Sequence, residues 1–95
     1  MPAYWIGHVT ISDPIAYEAY RQANGAAFAK YGAKFLVRGG AQVVVEGDMR
    51  ARTVVIEFPD LQAAQDCYRS PEYQAAKALR DGVSLADLCI VEGYL

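Results

Sequence analysis

The sequence predicts an α+β domain of ferredoxin-like topology, βαββαβ, with a four-stranded antiparallel sheet. Three observations lead there. Strand-like and helix-like patterns follow one another in the order strand, helix, strand, strand, helix, strand. Capping residues followed by proline, Asp13-Pro14 and Ser70-Pro71, mark places where helices begin. The best-defined strands are apolar on both faces, so helices packed on one side leave hydrophobic surface on the other.

Aromatic and β-branched residues dominate from Ala3 to Ile11, which specifies a strand that Ser12, Asp13 and Pro14 end. Asp13 suits the N-cap of the following helix, and Pro14 suits its first turn because the N–H it lacks would have no partner there. Tyr17, Tyr20, Asn24, Ala27, Phe28 and Tyr31 recur at three- and four-residue steps and form one helical stripe, which Gly32 stops. Lys34 to Arg38 and Gln42 to Glu46 read as one long strand bent at Gly39 and Gly40, followed by a turn at Gly47 to Arg50. Arg52 to Phe58 is the clearest strand, ended by Pro59 and capped into a helix by Asp60. That helix carries Leu61, Ala64, Cys67 and Tyr68, breaks at Ser70 and Pro71, and resumes through Tyr73, Ala76 and Leu79 towards Gly82. Leu85 to Glu92 is the last strand.

Alternation puts Trp5, Gly7, Val9, Val54, Ile56 and Phe58 under the helices. Tyr4, Ile6, His8, Thr53, Val55 and Glu57 then fall on the uncovered side, and a second copy packed face to face would bury them. A homodimer is expected. The 95 residues, 54% of them hydrophobic, suit a single domain over residues 1–95 with apolar surface to spare. A net charge of −2 offers no field to hold nucleic acid or an anionic membrane, and no apolar run approaches the roughly 18 residues of a membrane span. Met1 to Thr10 lacks the pattern of a secretory signal, so a cytoplasmic location with Cys67 and Cys89 as free thiols is expected. With His8 the single histidine and no CxxC, no structural zinc site is expected.

The segments Tyr31-Gly32-Ala33-Lys34-Phe35-Leu36-Val37-Arg38-Gly39-Gly40, Glu46-Gly47, Val54-Val55-Ile56-Glu57-Phe58-Pro59 and Ser70-Pro71-Glu72-Tyr73 with Arg80 resemble domain of unknown function family 1330 across the whole chain. The resemblance implies a dimeric α+β barrel, in which two ferredoxin-like sheets enclose a central cavity. Related barrel families include cofactor-independent oxygenases and isomerases.

Candidate chemistry rests on few residues. His8 is placed to exchange a proton near neutral pH, and Glu57 sits among Val54, Val55, Ile56 and Phe58, where desolvation would raise its pKa unless a cation, for which Arg38 is the natural choice, pairs with it. Arg38 also offers a planar fork to a carboxylate, with Gly39 and Gly40 permitting close backbone approach. Tyr4 and Tyr73 would wall the site. Ser70 is read as a cap, since no GxSxG elbow surrounds it. An RNA-recognition module shares the topology, but Arg52-Thr53-Val54-Val55-Ile56-Glu57-Phe58 lacks the basic and aromatic pattern that stacks bases. The expectation is a small-molecule enzyme, oxygenase- or isomerase-like, using no metal or organic cofactor on an apolar or carboxylated ligand in the barrel cavity. His8 or Glu57 would move the proton, and Arg38 would orient the substrate. The alternative is a non-catalytic small-ligand-binding or stress-associated dimer.

Overall fold

In the computed structural model, which describes residues 1–94, the strands are β1 (Ala3–Ile11), β2 (Lys34–Arg38), β3 (Arg52–Phe58) and β4 (Ser84–Glu92), and the helices α1 (Pro14–Lys30), α2 (Leu61–Arg69) and α3 (Pro71–Ala78). The strands form one antiparallel sheet in the order β2-β3-β1-β4, the ferredoxin-like arrangement. Both long connections cross the same face, and all three helices lie there. The predicted caps hold. Asp13 Oδ1 accepts from the Ala16 N–H at 3.1 Å, and Asp60 Oδ1 from the Ala63 N–H at 2.7 Å. Ser70 joins two helices, accepting from the Tyr73 N–H at 3.1 Å while its hydroxyl donates to the Cys67 carbonyl at 2.7 Å.

The core lies between the sheet and the helices. Trp5 is 1% exposed and meets the rings of Tyr73, Phe58, Phe28 and Tyr68 at centroid distances of 4.9, 5.2, 5.3 and 5.8 Å. Its indole N–H donates to the Ala64 carbonyl at 2.9 Å, so the one polar atom of this buried ring is satisfied. Each such aromatic adds roughly 0.5–1.5 kcal/mol per ring pair beyond the burial of its area. Trp5, Gly7 and Val9 of β1 are buried under the helices and Tyr4, Ile6 and His8 are half-buried on the other face, as alternation requires.

Two expectations about β2 are corrected. Gln42 to Glu46 forms no strand, because the chain turns off the sheet at Gly39 (φ +71°) and no neighbouring strand remains to pair with it. Val43 and Val45 are left 84% and 88% exposed. The irregularity instead falls earlier. Phe35 pairs with Ile56 and Val37 with Val55, which makes Leu36 an extra residue in a β-bulge. Helix α3 also stops at Ala78 rather than near Gly82, in a series of turns that carries Arg80. Among the described residues no helix is long and apolar enough to cross a membrane.

Candidate functional site

The sheet separates the six residues singled out by sequence into two groups. Tyr4, His8 and Glu57 lie on the uncovered face. Arg38 and Tyr73 lie on the helix side, and Gly39 sits at the end of β2 between them. The expected Arg38–Glu57 pair does not form. The Leu36 bulge shifts the alternation of β2 by one residue, so Arg38 pairs with Val54 and shares its helix-side face, whereas Glu57 pairs with Tyr4 and Lys34 on the other.

On the uncovered face the Tyr4 hydroxyl donates to Glu57 Oε1 at 3.5 Å. Around His8 a short relay defines the state of the ring. The Gln42 side-chain amide donates to the Arg50 carbonyl at 3.0 Å, which turns Gln42 Oε1 towards the Thr53 hydroxyl. Thr53 donates its proton to Gln42, so at 3.1 Å it accepts from His8 Nδ1. That leaves Nε2 of a neutral His8 as the bare nitrogen. Arg50, held by Asp87 and Thr10 at 3.0 Å each, closes the hollow beside it.

The enclosed pocket is on the helix side, within one subunit. Gly7, Val54 and Leu88 form an apolar floor, and α1 supplies Tyr17, Tyr20 and Asn24 as the roof. Its volume is about 50 Å³. Its rim is cationic. Arg38 stacks on the Phe35 ring at 4.1 Å, Arg80 lies 5.3 Å from the centroid of Tyr20, and Arg52 enters from the first position of β3. Among the described residues the ion pairs are Arg21–Glu18, Lys30–Glu72 and Arg50–Asp87, so none of these three guanidinium groups has a carboxylate partner. A chain of net charge −2 thus concentrates unpaired positive charge at one small cavity.

The pocket's polar groups are also incomplete. Asn24 is 4% exposed, yet among the described residues its Oδ1 accepts no hydrogen bond, and the buried Nε atoms of Arg21 and Arg52 find no acceptor. The Tyr20 and Tyr73 hydroxyls bond to each other at 2.8 Å. Burial, reinforced by Tyr73, pushes the Tyr20 phenol well above its ordinary range, and burial likewise raises Tyr17. Both therefore remain neutral donors at physiological pH. Sequence reasoning did not select Asn24, Arg52, Arg80 or Tyr20 for this site. Asn24 carried a visible signal, an amide within an otherwise aromatic and aliphatic helical stripe. Alternation along β3 put Arg52 on the helix side with Val54, whereas Arg38 and Arg80 carried no signal, because their placement depends on the bulge and on where α3 ends.

Structures of similar fold support the architecture. A protein of unknown function from Rhodopseudomonas palustris is 20% identical, with a TM-score of 0.78 over 99% of this chain and 83% of that one. A dimeric protein of unknown function and ferredoxin-like fold from Bacteroides fragilis is 15% identical, with a TM-score of 0.64 over 97% of this chain and 96% of that one. SnoaB, a cofactor-independent oxygenase from Streptomyces nogalater, is 14% identical, with a TM-score of 0.63 over 99% of this chain and 94% of that one. No curated protein matches the sequence. Residues 2–94 match the family described as Domain of unknown function (DUF1330), and the chain belongs to that family.

Proposed function

We propose that this protein is a small-molecule enzyme that binds a short carboxylated substrate in the pocket between α1 and the sheet and works without a tightly held cofactor. The observation that carries this reading is the convergence of Arg38, Arg52 and Arg80, none paired with a carboxylate among the described residues, on a cavity with an apolar floor. Guanidinium forks match a carboxylate in shape and charge, and in a partly dry site their attraction is less screened than in water. The Tyr20–Tyr73 hydroxyl pair and the arginines are suited to stabilise an oxyanion that develops on the substrate, the requirement shared by enolising isomerisations and by oxygenations through a substrate anion. The fold shared with SnoaB is consistent with the oxygenase branch. His8 and Glu57 face away from the pocket of their own subunit, so the protein's contribution there is orientation and charge stabilisation by arginines and phenols.

The assembly we propose is a homodimer formed through the uncovered sheet face. Ile6, Val37, Val55 and Val91 share that face, with Val37 and Val91 40% and 44% exposed. The similar fold of a dimeric protein supports a dimer as such. Assembly on one face and ligand on the other would then be independent.

Native mass spectrometry of the purified protein, followed by titration with short-chain acids, tests both parts. A dimer that binds such acids, with affinity lost in Arg52→Met and in Arg38→Ala of normal fold, is the expected result. A folded protein whose acid affinity is unchanged in both variants removes the anion site.

A further inference from the structure

We infer that the natural ligand of this pocket is a short hydroxy acid, an anion that also donates a hydrogen bond beside its carboxylate. The inference rests on the anion-binding reading above and narrows it. Among the described residues two buried donors, Arg21 Nε and Arg52 Nε, lack acceptors, and one buried acceptor, Asn24 Oδ1, lacks a donor. A plain carboxylate has only acceptor atoms. It satisfies the guanidinium groups and leaves Asn24 orphaned, a state that buried polar groups resist.

The missing donor can be an O–H or an ammonium, and the surroundings discriminate between them. Arg38, Arg52 and Arg80 line the same pocket with no carboxylate partner among the described residues, and a further cation placed among them would be repelled. Hydroxyl therefore fits where ammonium does not. A keto group is excluded on the opposite ground, since it can only accept. The terminal torsion of Asn24 is soft, so its amide can turn to meet a hydroxyl that enters along the tyrosine side of the pocket. Size sets the chain length. The cavity of about 50 Å³ is roughly a third of the ~150 Å³ that holds a benzene ring, which limits the enclosed part of the ligand to a few heavy atoms.

The test uses four acids of one carbon skeleton that differ only at the second carbon. Propionate carries hydrogen there, lactate hydroxyl, pyruvate a keto oxygen and alanine an ammonium. Isothermal titration of the 95-residue wild-type chain is expected to rank both propionate and pyruvate at least tenfold weaker than one lactate enantiomer, with alanine weakest. Asn24→Leu, or Asn24→Ala if the larger side chain impairs folding, should bring lactate down to the affinity of propionate. Equal affinities for lactate and propionate would overturn the hydroxyl requirement and leave the anion site standing. Tightest binding of alanine would overturn the charge argument, and no binding of any acid would overturn the anion site together with this inference.

Discussion

Gly39 and the Arg52 guanidinium occupy adjoining space that a side chain at position 39 would take only by displacing the guanidinium. A Cβ on Gly39 would stand 2.7 Å from the Arg52 guanidinium carbon, and the glycine's φ of +71° is one that side chains other than glycine rarely adopt. The role expected for this glycine, close backbone approach to a ligand, is thus filled by close approach to a pocket arginine. Gly39→Ala should lower stability by about 1–2 kcal/mol, the left-handed penalty plus displacement of the guanidinium. Urea unfolding reads the loss, and weaker binding of propionate reads the displaced arginine.

Gly7 is the opposite case. It lines the pocket floor, its φ is not positive, and an added Cβ meets only Leu88 Cδ1 at 3.5 Å, an ordinary contact. Gly7→Ala should raise stability by about 0.4–1 kcal/mol through the unfolded chain while filling part of the cavity. A higher melting temperature together with weaker acid binding is expected. A variant that binds acids as well as the wild type would show that they bind elsewhere.

The Tyr20–Tyr73 pair should behave as one unit. Either phenylalanine substitution alone leaves the remaining buried hydroxyl short of a partner and should cost about 1–2 kcal/mol. The double variant should cost less than the sum of the two, with a coupling of at least about 0.5 kcal/mol in a double-mutant cycle. Strict additivity would mean that the 2.8 Å contact contributes nothing.

The two thiols should differ in reactivity. Cys67 is fully buried and burial pushes it up to about 12, whereas Cys89 is exposed on the uncovered face. At neutral pH an aromatic disulfide reagent should modify Cys89 in the dissociated subunit and leave Cys67 untouched until the protein unfolds. Raising the protein concentration should protect Cys89 if that face pairs. The folded thiol pKa lies above the unfolded value near ~8.5. The contribution of Cys67 to stability is therefore complete below that pH and is lost as pH rises towards about 12. Cys67→Ser should remove that alkaline dependence.

The element order, the caps at Asp13, Asp60 and Ser70 and the two faces of β1 and β3 were legible because each follows from local rules of spacing and capping. The face of Arg38 was not. Strict alternation places Lys34, Leu36 and Arg38 together on the face of Glu57, and nothing about Leu36 announces that it is unpaired. Gln42 to Glu46 misled for a related reason. Val43, Val44 and Val45 have the composition of a strand, but strand formation requires a neighbour that this subunit does not place there. The site followed suit: Asn24 could be read as an anomaly in an apolar stripe, while the meeting of Arg38, Arg52 and Arg80 is a product of tertiary structure alone.

The bulge at Leu36 makes the allocation of charge between the two sides of this sheet a matter of counting. Deleting Leu36 would give a regular strand with Val37 still opposite Val55 and Arg38 still opposite Val54, so the guanidinium would stay on the helix side. Straightening the bulge with Leu36 retained would instead exchange Val37 and Arg38 between the faces, disarming ligand capture and spoiling subunit pairing in one event.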